Sequence, residues 1–296
     1  CVYCYQNKNE KLMTTEVANM IIEKIDRILN DNIFEGINIH YFGGEPLLNI
    51  PVLIYLDENI KKITDKIGIV YKAFLTTNGS MLSKELLQKV KFSSIQLTFD
   101  GLEKTHDRLR VSDHFHFKEE IELIENIMNF SQAKVLLRTN ICKENKDEII
   151  ALHKYIFEKF GNERIEINPN RTIKYHQDDS FEMLSVQEYA EVAYQIKLLW
   201  SEQKGKFELP VPRSTPCKFP YGNAYAISPE GYCTFCSGSM DQEKKYFFDV
   251  DIENKKMFSV RKECKKCNIL PLCLGGCIIQ YNLRAGACTY EKYELK

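Results

Sequence analysis

The sequence has no surplus of charge of either sign, no long apolar run and almost no cysteine through its middle. Lys and Arg number 40 against 41 Asp and Glu, for a net charge of −1. A nucleic-acid or membrane-surface binder needs a basic surplus, so neither class of partner is expected. Every apolar run falls far short of the roughly 18 residues that a membrane span takes. The chain opens without a charged, apolar and small-residue leader, so no secretory signal is read. Internal repeats and low-complexity segments are absent as well. Between Cys4 and Cys217 the only cysteine is Cys142. What remains is an ordinary globular composition, 44% hydrophobic and 27% charged over 296 residues, enough for one large domain or one medium and one small domain.

Against that sparse middle, the cysteine total of 11 is high. Cys1 and Cys4 open the chain, and Cys217, Cys233, Cys236, Cys264, Cys267, Cys273, Cys277 and Cys288 crowd its last third. Disulfide frameworks belong to small secreted domains and spread their cysteines as staples. Clustered thiols in a chain of this size point to metal ligation instead. Thiolate ligands need a reducing environment, so a cytoplasmic location is expected.

From residue 14 to about 168, helical and strand patterns alternate. Helical spacing of apolar residues marks 14–31, 49–67, 83–92, 117–130, 146–161 and 185–203. Between these six lie runs with strand character: INIHYFGGEP, IVYKAFLTTNG, SIQLTFDG, KVLLRTNI and RIEINPN. Repeated strand–helix units with short connections imply an α/β fold with a parallel sheet. With one further strand expected ahead of Cys1, the count reaches six units, a partial (β/α)6 TIM-like barrel rather than a closed eight-unit barrel. Polar groups follow the strands: Gly43, Gly44 and Glu45, Thr77 and Asn78, Asp100, Arg138 and Asn140. Sites in parallel α/β folds form at the strands' carboxyl ends, so these groups are candidates for one shared site. The expected domains are 1–175 for the partial barrel, 176–212 for a linker and bridging helix, and 213–296 for a cysteine-rich domain containing a hairpin over NAYAISPEGYCTF.

CVYC alone fits a zinc knuckle, a redox pair or half of a cluster site. Standing ahead of a strand that ends in YFGGEP, it resembles the end of the CxxxCxxC signature of radical S-adenosylmethionine (SAM) enzymes, with Tyr3 as the aromatic before the last cysteine. The resemblance implies a first cysteine four residues before Cys1. Three thiolates leave one iron of a [4Fe–4S] cluster open to the amino and carboxylate groups of SAM. In such enzymes reductive cleavage of SAM yields a 5′-deoxyadenosyl radical.

The same resemblance implies roles for other residues. Gly43, Gly44 and Glu45 correspond to the family's GGE motif, which meets the SAM amino group. Thr98 and Asp100 correspond to polar residues that hold the ribose hydroxyls. Arg138 corresponds to the residue that pairs the SAM carboxylate, a task suited to a guanidinium fork. Asn78 lies at the same rim. Taken singly, GGEP and Asp100-Gly101 also read as turns and Arg138 as a surface ion pair. His106, in HDRLR, reads as structural, and Cys142 as a buried neutral thiol.

The C-terminal cysteines run Cys217, Gly231, Cys236, then Cys264-x2-Cys267-x5-Cys273-x3-Cys277, then Cys288. This order resembles the SPASM domain, a C-terminal extension of some radical SAM enzymes that carries two auxiliary [4Fe–4S] clusters. The resemblance implies one cluster on Cys264, Cys267, Cys273 and Cys288 and a nearer one on Cys217, Cys236 and Cys277. Cys233, an eighth cysteine three residues before Cys236 in a CxxC, is expected to complete the nearer cluster. The alternative leaves that cluster an open position for a substrate thiolate or amide. A pair of zinc ribbons is the competing reading of the thiols.

Relatives with this architecture act on peptides and proteins. The resemblance therefore implies a peptide maturase that abstracts a hydrogen from a precursor-peptide side chain to form a thioether, a carbon–carbon crosslink or a related modification. Three [4Fe–4S] clusters, SAM and an external flavodoxin- or ferredoxin-like electron donor go with it. An anaerobic sulfatase-maturing enzyme is the alternative. That branch has an aspartate after the cysteine equivalent to Cys236, and this chain has Ser237 there. A non-catalytic peptide- or metal-binding member is the remaining class.

Overall fold

Apolar residues three and four apart turn one side of each long helix inward. The structure is a computed structural model that describes residues 1–4, 6, 11–161, 164–174, 181–205, 212, 224–234, 245–249, 260–277 and 293. Helix α1 (Thr15–Asp31) buries Ala18, Ile21, Ile25 and Leu29, and the Thr14 hydroxyl caps it by accepting from the Val17 N–H. Helix α2 (Ile50–Ile67) stops at Gly68, whose φ of 84° lets its N–H return to the Thr64 carbonyl at 2.8 Å.

Five strands form one sheet: β1 (Gly36–Tyr41), β2 (Val70–Thr76), β3 (Phe92–Thr98), β4 (Lys134–Ile141) and β5 (Ile165–Arg171). Their order in space is their order in the chain, and every pairing is parallel. A sheet wound in one direction with helical crossovers is the winding of a barrel rather than of a doubly wound sheet. The crossovers are α2, then α3 (Lys84–Lys89), then α4 (Glu103–Arg110) with α5 (Phe117–Phe130), then α6 (Ile149–Phe160). All five expected strands are present. Helix α4 is an addition, formed by the segment that contains HDRLR.

One face of the sheet carries the core. Tyr41, Ala73, Leu75, Ile95, Leu97, Val135, Leu137 and Ile165 are buried beneath the helices with Ile124, Ile127, Ile149 and Leu152. All the strand residues in that set have odd numbers. The even-numbered face carries Asn38, His40, Thr76, Gln96, Arg138 and Asn168, and apart from residues such as Phe74 and Leu136 it is largely polar. Parallel sheets covered on both sides read as continuous apolar runs, so the alternation marks one face as open. A register shift keeps the alternation in phase: Ala73 pairs with Phe92, but Phe74 pairs with Ser94. The extra residue is Ser93, a β-bulge, and it leaves both Phe92 and Ile95 on the core face.

Helix α7 (Val186–Lys204), expected as a bridge, is packed into the same core through Tyr189, Ala193, Ile196 and Trp200. Its start is a capping box between Ser185 and Glu188. The expected hairpin pairs β6 (Ala226–Ile227) with β7 (Tyr232–Thr234), and a third antiparallel strand, β8 (Lys245–Tyr246), adds to it. No helix among the described residues is long and apolar enough to cross a membrane.

Candidate active site

The carboxyl ends of the strands bring the polar groups together. Beyond β1 the chain turns through Gly43, at φ 151°, and a side chain built there or at Gly44 would enter open space, the nearest neighbour being Gln6 at 3.8 Å from Gly44. This is a cradle in which backbone can approach a bound group closely. Glu45 follows and ties β1 to β2. One carboxylate oxygen accepts from the Leu47 N–H at 3.0 Å and the Thr77 hydroxyl at 2.6 Å, and the other accepts from the Asn78 N–H at 2.7 Å. A carboxylate has about four lone-pair sites, so among the described residues one acceptor position is left on the oxygen that meets Asn78. The Asn78 amide oxygen closes a turn onto the Ser80 N–H and hydroxyl.

At the ends of β3 and β4 a buried network surrounds Asp100, which is 0% exposed. The Tyr3 hydroxyl donates to one Asp100 oxygen, and the Asn140 N–H donates to the other at 2.8 Å. Arg110 stands 3.9 Å from the first oxygen, and the Asn140 side-chain amide donates to the Tyr3 hydroxyl at 3.2 Å. Burial, reinforced by the Asp100 charge, pushes the Tyr3 phenol up and keeps it protonated as the donor. Asn145 holds the backbone from below, donating to the carbonyls of Asp100 and Asn140 at 2.8 Å each. Arg110 and Asn145 are absent from the sequence-based site. Nothing in their own motifs marks them, because their roles arise only from packing.

Arg138 lies beside Thr98 in the β3–β4 register and beside Asn168 in the β4–β5 register. Its Nε donates to the Asn140 amide oxygen at 2.9 Å, and its terminal nitrogens have no partner among the described residues. Thr98 is buried, and its N–H donates to Glu120 at 3.3 Å. A row of carboxamides continues across the open face: Asn170 donates to Asn168 at 3.2 Å, and Asn168 donates to Gln96 at 3.1 Å. The sequence signal for this row is the even-numbered alternation within SIQLTFD, KVLLRTNI and RIEINPN.

Cys1 and Cys4 are exposed and not disulfide-bonded, and the Cys4 N–H turns back to the Cys1 carbonyl at 3.4 Å. Two exposed thiols on one turn, beside a glycine cradle and an Arg138 whose terminal nitrogens meet no described residue, fit a cluster and its SAM. Among the C-terminal cysteines, Cys264, Cys267, Cys273 and Cys277 lie on a tightly turned segment in which Leu274, Gly275 and Gly276 all have positive φ. Donors face two of the sulfurs: Arg261 Nη2 stands 3.7 Å from Cys264 Sγ, and the Gly275 N–H 3.4 Å from Cys273 Sγ. Such contacts suit a thiolate. Cys217, Cys236 and Cys288, together with Ser237, lie outside the described residues.

The setting of Cys233 differs from the one its spacing suggests. Successive residues of β7 face opposite ways. The Tyr232 ring stacks on Tyr246 at 4.4 Å, while Cys233 turns into an apolar cluster with Ile21, Ile25 and Phe247. Burial pushes the Cys233 thiol up to about 12, which favours the neutral form over a thiolate. Cys142 is likewise buried and pushed up to about 12. His106 is buried against Glu120 at 3.1 Å, and His153 lies between Trp200 and Thr139, so both serve the core.

With this geometry in place, comparison with known proteins gives a consistent result. Residues 1–156 match the family model described as the Radical SAM superfamily, and the chain belongs to that superfamily. It is 24% identical over 327 aligned positions to the radical SAM cyclopropyl synthase TigE of Paramaledivibacter caminithermalis, covering 98% of this chain and 67% of that protein. Over 107 residues it is 34% identical to an uncharacterized protein of Methanocaldococcus jannaschii, covering 35% of each. The chain thus spans about a third of one curated relative and two thirds of the other. Among solved structures, anSMEcpe with bound AdoMet superposes with a TM-score of 0.76 at 18% identity, covering 100% of this chain and 90% of that one. That likeness establishes the fold, a radical SAM partial barrel.

Proposed function

We propose that the chain is the catalytic body of a radical SAM peptide maturase. The observation that carries the peptide assignment is the carboxamide row Gln96–Asn168–Asn170 beside Arg138 on the open face of the sheet. Side-chain amides offer one donor group and one acceptor each, the same pair a peptide unit presents. Two of the compared proteins support the reading: TigE is a radical SAM cyclopropyl synthase, and anSMEcpe has been solved with bound AdoMet and a Kp18Cys peptide.

In this reading Cys1, Cys4 and a third cysteine ahead of them hold a [4Fe–4S] cluster. Gly43 and Gly44 admit the SAM methionine to the backbone, the last acceptor position of Glu45 takes its ammonium, and the unused Arg138 nitrogens take its carboxylate. Asn78 and Thr98 border the same space. When bound, the reduced cluster and SAM supply the radical that removes a hydrogen atom from the substrate. The chain's own residues orient the cofactor and present the substrate side chain to it. Cys264, Cys267, Cys273 and Cys288 hold one auxiliary cluster, and Cys217, Cys236 and Cys277 the other. An external flavodoxin- or ferredoxin-like protein supplies electrons in a reducing cytoplasm.

The test is incubation of the anaerobically reconstituted enzyme with SAM, a reductant and any short peptide found encoded beside its gene. A product lighter by two hydrogen atoms, with 5′-deoxyadenosine formed alongside, supports a crosslinking maturase. Conversion of a cysteine or serine in a sulfatase peptide to formylglycine, with no change in the neighbouring peptide, would replace this reading with a sulfatase-maturing one.

A further inference from the structure

We infer that Asp100 is a positioning residue for the cysteine loop and acts through the Tyr3 hydroxyl. The inference rests on the reading of Cys1 and Cys4 as cluster ligands. Resemblance alone would give Asp100 to the ribose of SAM. The geometry gives its carboxylate other work. It is fully buried, and its two oxygens already meet Tyr3, the Asn140 N–H and Arg110.

The position of Tyr3 explains why such a clamp matters. Tyr3 lies between the two cysteines, and its side chain goes inward where theirs stay exposed. The edge of its ring meets Phe181 with centroids 6.3 Å apart, and its hydroxyl ends in the Asp100 network. One residue away, the Val2 N–H is held by the Leu109 carbonyl at 2.9 Å, on the same helix that carries Arg110. The loop is therefore pinned at its centre by a side chain and beside it by backbone, and both pins lead to α4 and the end of β3. Gly101 makes the arrangement possible. At φ 145° a Cβ there would stand 2.9 Å from Thr105, so the turn that buries Asp100 requires glycine. A ligand set must be held rigidly to be productive, and the groups supporting it do that holding.

Tyr3→Phe keeps the ring and removes the hydroxyl, so it tests the clamp without emptying the core. Asp100→Asn tests the other end. The measurements are electron paramagnetic resonance of the reduced holoenzyme with and without SAM, and the rate at which a chelator removes iron. Only a cluster with an open iron responds to SAM, which separates this cluster from saturated ones. Both variants are expected to lose iron from the SAM-responsive cluster about tenfold faster, as befits loss of one hydrogen bond to a charged group. The remaining cluster signals and the circular dichroism should match wild type. The double variant should be little worse than either single one, because both break the same contact. A Tyr3→Phe enzyme with wild-type SAM response and iron loss would overturn the inference, even if Asp100→Asn fails to fold. So would an Asp100→Asn enzyme that binds SAM weakly while its cluster stays intact, since that is the behaviour of a ribose ligand. A wild-type holoenzyme with no SAM-responsive signal would overturn the reading of Cys1 and Cys4, and the inference with it.

Discussion

Asn168 on β5 donates to Gln96 on β3 at 3.1 Å, across the full width of the strand between them. Strands two apart in a flat sheet are about 9.6 Å apart, so side chains that meet over β4 lean toward each other across it, as a concave even-numbered face favours. The polar row is thus the floor of a trough, and the ends of β1 to β4 form its rim.

Replacing Asn168 with Leu removes the centre of that row. The expected effect is weaker use of the peptide substrate, by roughly fivefold to tenfold in KM, in line with a net hydrogen bond of about 1–1.5 kcal/mol. Iron content and SAM affinity should hold. Steady-state kinetics against the neighbouring peptide checks this, and an unchanged KM would remove the row from substrate recognition.

Arg138→Ala should weaken SAM binding by roughly 10- to 100-fold, because hydrogen bonds to charged groups contribute about 1.5–3 kcal/mol. Its side chain has one described partner, Asn140, so the melting temperature should barely move. Arg138→Lys should rescue only in part, since an ammonium lacks the planar fork. Glu45→Ala should differ in kind: it strips acceptors from Leu47, Thr77 and Asn78, so SAM affinity and melting temperature should fall together. Equilibrium binding and thermal unfolding separate the two cases.

Cys233→Ala should leave iron content at the wild-type value and cost about 1 kcal/mol of stability through lost packing. Cys264→Ala should lower both iron and folded yield, because metal binding and folding are coupled. Iron analysis of the two variants side by side decides between a core thiol and a ligand at position 233.

Burial depresses the His153 imidazole from 6.5 to about 3. The unfolded chain binds a proton between these values and the folded chain does not. Stability from this group is therefore whole above about pH 6.5 and is lost as the pH falls toward 3, by on the order of 5 kcal/mol at the limit. His153→Gln can still bridge Trp200 and Thr139 and should flatten that part of the curve. Urea unfolding at several pH values checks the slope.

The sheet and the long helices were legible because their periodicities are local. VLIYLDENI and IELIENI repeat at helical spacing, and IQLTF alternates at strand spacing. Helix α4 was not legible, because HDRLR has too few apolar residues to show a face and is held by partners elsewhere, His106 by Glu120 and Arg110 by Asp100. Strand β8 escaped for a similar reason: two residues carry no period. Motifs located the rim at Glu45, Asp100 and Arg138 but not the direction each side chain takes. Asp100 turns inward and Glu45 is mostly consumed by its neighbours, which are facts of tertiary packing.

Ser93 gives the trough a reading frame. The single extra residue between Phe92 and Ser94 lets β1 and β2 share one parity with β3, β4 and β5. Delete it, and either Gln96 and Thr98 are driven into the oily layer with Ile95 and Leu97 pushed out into the trough, or the whole pairing with β2 must slip. Lineages of this chain can therefore vary the letters in this strand far more freely than their number, and a length change here would silence the site without touching any residue in it.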